Sequence, residues 1–332
     1  MIYFPLAFCC SEIADPGGRP APFAAMDETD SVRAMAAERG VFTLGHSPDP
    51  DDAFMFYAMA ENKIDLRGYR FEHRLEDIQT LNERALRGEL HISAISIHAY
   101  AYVSKCYALL PCGASMGDGY GPVVIRKRPT SNIQHPTPKQ SEALDKSAAR
   151  DFLSGRKIAV PGKMTSAFLA LQLFLEEFEF VVIPFDQIFD AVNDGRADAG
   201  LIIHEGQLTY ARSGFQKVMD LGDWWKRETG LPLPLGGNVL RKDIPQAVQH
   251  DLLEIIRESI EFGLAHREEA VRHSLPYARD MNADLASRFI SMYVNEFTRD
   301  YGGIGRAAIR KFLGDARDKG YIDTPIAVEF VE

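Results

Sequence analysis

From Val41 onward the chain alternates short apolar runs with stretches of helical apolar spacing. VFTLGHS (41–47) is a strand by composition and runs into a Pro/Asp-rich turn, SPDPDD. AFMFYAMAENKID then carries apolar residues at helical spacing (Phe54, Met55, Ala58, Met59), and Asp51 and Asp52 are placed to cap that helix. YRFEHRL alternates as a strand does. EDIQTLNERALRGEL sets Ile78, Leu81, Ala85 and Leu86 on one helical face before a stop at Gly88. HISAISIHAYAYV reads as strand, turn and helix start. This βαβαβα order predicts a parallel sheet with right-handed crossovers.

Residues 107–129 contain a glycine-rich stretch (Gly113, Gly117, Gly119, Gly121) and an apolar strand from Pro122 to Ile125. Residues 129–150 are polar and aperiodic, which predicts a flexible insertion. A second α/β unit follows over 151–235: KIAVPGKMTSAFLALQLFL as strand, turn and helix, FEFVVIPF as strand, FDQIFDAVNDGRADA as helix and GLIIHE as strand. GLPLPLGGNVLRKDI (230–244) returns as a strand, and ESIEFGLAHREEAV and DLASRFISMYVNEF are the clearest helices of the tail. A sheet that detours through a second α/β unit and comes back implies two lobes. The expected class is α/β, with lobe 1 at 41–128 plus 236–332, lobe 2 at 151–235, and a ligand cleft between them. That plan resembles periplasmic binding proteins, which close on a ligand. Residues 1–40 read as a disordered leader, or as an over-called start with Met26 as the initiator.

Composition narrows the function classes. The 332 residues are 46% apolar and 25% charged, as in an ordinary globular protein. A formal net charge of -10 without a Lys/Arg cluster argues against a nucleic-acid partner. The four cysteines show no CxxC or zinc spacing, so no metal site is expected and a reduced, cytoplasmic compartment is the simplest reading. No apolar run approaches the ~18 residues a membrane helix needs. MIYFPLAFCC lacks the basic start of a signal peptide. The glycines at 117, 119 and 121 do not fit a dinucleotide fingerprint.

Candidate chemistry gathers at strand ends, where open α/β sheets bind ligands. His204 and Glu205 end the run Leu201–Ile203, although a histidine satisfied by its neighbours is the plainer alternative; adjacent strand residues face opposite ways, which makes contact between the two unexpected. Ser47 ends the first strand beside free helix N–H groups, or serves only in a cap. Ser96, His98 and Tyr100 stand at a strand-to-helix switch, where a hydroxyl or imidazole would face the cleft, or where His98 is only a histidine buried against the helix. In VPGKMTSAF, Thr165 and Ser166 offer hydroxyls at a helix start suited to a carboxylate, or cap that helix. Gly236 and Gly237 in LPLGGN either admit a flat ligand or free a hinge.

Together SPDPDD, LEDIQTLNERALRGEL, SIHAYAYV with YALLPCG, GYGPVV and LIIHEGQLTY resemble the futalosine-route menaquinone biosynthesis enzymes, closest to 1,4-dihydroxy-6-naphthoate synthase. The resemblance runs from about Leu44 to Lys242 and implies a type II periplasmic-binding-protein-like fold in a cytoplasmic lyase. It implies cofactor-free conversion of cyclic dehypoxanthine futalosine, a small aromatic carboxylate, with His204 as the catalytic base. Substrate-facing positions would be Ser47, Asp49, Ser96, His98, Gly121, Thr165, Ser166, Gly236 and Gly237. The sequence departs from the family's pattern at Asp49 and Asp51, where that pattern is neutral, and at Asp118 and Tyr120. Two alternatives stay open: a non-catalytic solute-binding or sensing protein, and a related enzyme with a less anionic substrate. The tail helices also leave a homodimer contact open.

Overall fold

The computed structural model describes residues 40–129, 144–278 and 281–332. The expected leader therefore lies outside the described residues, as does most of the expected insertion. Its last part does not: Lys146–Leu153 is a helix (α5) whose start is capped by Asp145. Asp145 accepts from Ala148 N, and Ala149 and Leu153 face the core.

Two sheets organise the molecule. The first contains β1 (Val41–His46), β2 (Arg70–Leu75), β3 (Ile92–Ser96), β4 (Tyr107–Leu109), β5 (Ser115–Gly117) and β11 (Leu233–Arg241). Its order is β2-β1-β3-β11-β4, with β5 paired to β11. The predicted parallel unit is present: β1 runs parallel to β2 and to β3. The returning strand β11 then lies antiparallel to β3 in the middle of the sheet. The second sheet is β10-β6-β9-β7-β8, from β6 (Val123–Lys127), β7 (Lys157–Val160), β8 (Glu179–Val182), β9 (Ala199–Ile202) and β10 (Phe215–Asp220). Pairing thus puts β6 in the second sheet. The chain changes sheets across 118–122, earlier than the expected boundary at 128.

The first helical stretch is shorter than its apolar spacing predicts. It forms α1 (Pro50–Met55) and α2 (Tyr57–Ala60), interrupted at Phe56. Further on come α3 (Ile78–Leu86), α4 (Ile97–Val103), α6 (Ser166–Leu175), α7 (Ile188–Asn193), α8 (Gly206–Thr209) and α9 (Leu221–Thr229). The tail holds α10 (Gln246–Ala265), α11 (Arg267–Ser274), α12 (Ala283–Tyr293), α13 (Glu296–Arg299) and α14 (Gly302–Asp318). The apolar faces of these tail helices are buried within the chain. Leu252, Ile255 and Ile256 of α10 pack with Phe54 and Met55, and Phe312 of α14 packs edge-on against Trp225. The C-terminal segment then covers the edge strand β4, with Leu109 N donating to Glu329 O and Val331 N to Leu109 O. Among the described residues no helix is long and apolar enough to cross a membrane.

The two connections between sheets run against each other. Leu221 N donates to Pro122 O at 2.9 Å. A Cβ on Gly222 would lie 1.8 Å from Tyr120 O, and one on Gly117 would lie 1.9 Å from the same oxygen. Backbone packs on backbone here, so only hydrogen fits. Gly222→Ala is therefore expected to lower unfolding free energy by roughly 2 kcal/mol or more. A denaturant melt measures this, and a wild-type midpoint would show that the crossings separate freely.

Candidate functional site

Between the sheets lies a cleft. Its apolar walls come from both lobes and include Ile78, Ile95, Ile203, Leu235 and Phe289. Of the positions expected to face a ligand, Ser47, Asp49, Ser96, Thr165, Ser166, Gly236 and Gly237 line it. Gly121 does not; it is part of the crossing, in contact with Gly222, and its neighbour Pro122 lines the cleft instead.

The Ser47 turn is built on carboxylates. Ser47 N donates to Asp52 Oδ2 at 2.7 Å, and Ser47 Oγ lies 2.9 Å from both Asp52 Oδ2 and Asp49 Oδ2. Asp52 therefore clamps the turn and does not cap α1, the role its position suggested. One hydroxyl proton cannot serve two ionised carboxylates, so the arrangement favours a carboxyl that keeps its proton. Burial pushes Asp52 up to about 6, against the pull of the Ser47 hydrogen bonds. Asp51, half-buried on the cleft wall, is raised well above the usual carboxylate range, first by burial and then by Asp52 and Asp49. Asp118, the other acidic departure, sits outside the cleft in an ion pair with Lys226 at 2.7 Å, and Tyr120 donates to Met292 O. Behind the turn, His46 Nδ1 meets Ser47 O at 3.2 Å and His46 Nε2 meets His73 Nδ1 at 3.0 Å. Burial lowers both imidazoles to about 4, so the pair is neutral at physiological pH.

Across the cleft, α6 begins at Thr165. Thr165 Oγ1 accepts from Phe168 N and donates to Gly162 O, and Ser166 Oγ donates to Leu235 O at 2.5 Å and accepts from His98 N. Both hydroxyls are thus committed to the fold. What this wall offers an anion is the backbone N–H groups of the helix start. His98 does not line the cleft. It is buried between the lobes and lowered to about 4 by burial, while the backbone of Thr165 and Lys163 pulls the other way.

Ser96 is held by a residue the sequence did not single out. Asn82 Nδ2 donates to Ser96 Oγ at 2.9 Å, and Ser96 N donates to Asn82 Oδ1 at 2.8 Å. Asn82 stands within the buried face of α3, between Leu81 and Ala85, and a polar residue in an apolar stripe was the available signal. Gln79 of the same helix accepts from Met164 N across the cleft at 3.1 Å. Phe289 and Tyr293 of α12 also line the site and carried no signal of their own.

His204, the expected base, does not line the cleft, although Ile203 before it does; its ring is edge-on to Phe185 and Phe189. Its Nδ1 accepts from Gly206 N at 3.1 Å, which leaves the proton of the neutral ring on Nε2. Nε2 is buried and has no hydrogen-bond partner among the described residues. Glu205 Oε2 is 3.6 Å from Nδ1. The contact that strand alternation made unexpected exists because β9 ends at Ile202, so the pair sits in a turn where the period of two no longer holds. Among the described residues no group of three or more His, Cys, Asp and Glu side chains could hold a metal ion.

The acidic wall gives a pH dependence. Asp51 and Asp52 bind their protons more tightly folded than unfolded, so stability is fully present below about pH 4 and is lost as pH rises through about 6 and beyond. Asp51→Asn is expected to be more stable than wild type by about 1 kcal/mol or more near pH 8, with a smaller gain near pH 4.5. Denaturant melts at the two pH values measure it, and a pH-independent difference would contradict the raised carboxyl.

Comparison with known proteins agrees with this geometry. A sequence profile for menaquinone biosynthesis matches residues 42–318. The chain is 35% identical over 277 residues to the 1,4-dihydroxy-6-naphthoate synthase of Thermus thermophilus, covering 83% of this chain and 94% of that one. A crystal structure of an Archaeoglobus fulgidus protein is 43% identical with a TM-score of 0.76, covering 85% and 99% of the two chains. The alkanesulfonate-binding protein of Xanthomonas axonopodis, solved with MOPS, has a TM-score of 0.65 at 10% identity, covers 87% and 96%, and bears on the fold alone. With its periplasmic-binding-protein-like fold, the chain belongs to the menaquinone biosynthesis family.

Proposed function

We propose that the protein is a 1,4-dihydroxy-6-naphthoate synthase, a lyase that acts in the cytoplasm on cyclic dehypoxanthine futalosine without a resident cofactor. The observation that carries the reading is the cleft of a chain from this family. It is apolar enough on both walls to hold a flat bicyclic ring, through Ile78, Ile203 and Phe289, and carries polar groups such as Ser47, Ser96 and the start of α6 in its lining. The backbone N–H groups at the start of α6 receive the aryl carboxylate. Releasing the sugar-derived fragment from a spiro-cyclic ketone needs a group that takes a proton and a site for developing enolate charge. His204 handles the proton. Acting as a base at Nε2 requires the other tautomer, in which Nδ1 gives up the Gly206 N–H bond and donates to Glu205 instead, so Glu205 is its partner in that step.

Asp49, Asp51 and Asp52 on the cleft favour a second reading, a related enzyme whose ligand carries less negative charge. Incubation of the purified protein with cyclic dehypoxanthine futalosine, without added cofactor and followed by mass, separates the two. Naphthoate is expected from wild type, with turnover in His204→Ala reduced by about 10²-fold or more. Full turnover in that variant would remove His204 from the mechanism. Neither product nor thermal protection in wild type would favour the second reading.

A further inference from the structure

The turn that carries His204 and Glu205 is tied to the opposite lobe by one short, buried hydrogen bond. Tyr293 Oη donates to Gln207 Oε1 at 2.6 Å, and both residues are buried. Gln207 belongs to α8, immediately after His204 in the second lobe, and its backbone N donates to His204 O at 3.0 Å. Tyr293 ends α12, which packs on α1 and β5 of the first lobe. Its ring is braced edge-on by Phe289 at 5.2 Å and Tyr120 at 6.0 Å, and it forms part of the cleft wall.

A second group of hydrogen bonds between the lobes lies elsewhere. Asn82 and Gln79 meet the backbone of Met164, and Ser166 bridges His98 N and Leu235 O, all at the start of α6. Two of the places where the lobes are joined bear on the cleft: a cluster of bonds at the anion-receiving wall, and the Tyr293–Gln207 bond at the His204 turn. A further pair lies past the far end of α6, where Lys319 Nζ donates to Glu176 Oε1 at 2.8 Å and Tyr321 Oη to Glu176 O at 3.4 Å.

We infer that Tyr293 and Gln207 are positioning residues, a latch that forms as the lobes close and sets the His204–Glu205 turn against the ligand. Two neutral amide and phenol groups suit that role. Their bond is insensitive to pH near neutrality, and once broken it leaves Gln207 Oε1 to be resolvated, which requires the turn to open. The claim about turnover rests on the activity proposed above; the claim about the turn does not.

Tyr293→Phe keeps the ring on the wall and removes the donor, and Gln207→Met keeps the volume and removes the acceptor. Hydrogen exchange of the free protein is expected to rise about 3- to 10-fold over 203–210 in each variant. The double variant should show no further rise, because both changes break the same bond. Exchange over 162–170 should stay as in wild type, which also reports that the variants are folded. Unchanged exchange at 203–210, or rises that multiply in the double variant, would overturn the latch. With the naphthoate assay, Tyr293→Phe should lower kcat about tenfold with KM nearly unchanged. A higher KM at full kcat would make Tyr293 a substrate contact instead. Absence of turnover in wild type would count against the proposed activity and leave the exchange result to decide the latch.

Discussion

The site depends on two chain crossings that touch at the level of bare backbone. Tyr120 O occupies the space that side chains at Gly117 and Gly222 would need, and Leu221 N bonds to Pro122 O. This contact fixes how β5 leads into β6 and how β10 returns through α9 to β11. It thereby sets which ends of the two sheets face each other. Ser47 and Ser96 at the ends of β1 and β3, Gly236 on β11, and Ile203 after β9 come to one cleft as a consequence. No single segment of the sequence contains the site; the register of the crossings assembles it.

The cleft so formed is electrically lopsided. One wall ends in the N–H groups of α6, where an anion gains from the helix dipole and from donors that have no intrahelical partner. The other holds three carboxyls, two of them joined through Ser47. Burial and repulsion from Asp52 and Asp49 favour the protonated form of Asp51, which gives this wall a carboxyl that can donate a hydrogen bond beside its charged neighbours. A ligand with an acidic end and a hydroxylated end would experience the two walls very differently, and that polarity orients it.

Much of this was legible in the sequence, and the failures have physical causes. Periodicity placed β2 and α3, half-buried elements that repeat at 2 or 3.6 residues, whereas β9 was legible as a short continuous apolar run because it is buried throughout. The βαβ order gave the parallel unit of the first sheet. The boundary at 128 failed because an apolar strand such as β6 reads the same whichever sheet pairs with it. Asp52 failed because an acidic residue in a first helical turn is ordinarily a dipole partner, whereas here a preceding serine folds back onto it. The His204–Glu205 contact failed because alternation was carried one turn past the strand's last residue. Thr165 and Ser166 were found by motif; the Thr165 hydroxyl serves in the local cap that the motif allowed, but only contacts between lobes show that the Ser166 hydroxyl already has partners. Gln207 and Tyr293 were invisible, since neutral residues that meet across 86 positions leave no local pattern.

The pairing of the C-terminal segment with Leu109 has a consequence for biosynthesis. Strands β6 to β10 are contiguous in the chain, so the second sheet has all its partners once residue 220 has been made. The first sheet has none of its inner closure until β11 is made, and its β4 edge stays open until residue 331 leaves the ribosome. The half of the molecule translated first is thus the half completed last, and β1 to β5 must wait as an unfinished sheet while the other lobe is synthesised beside it.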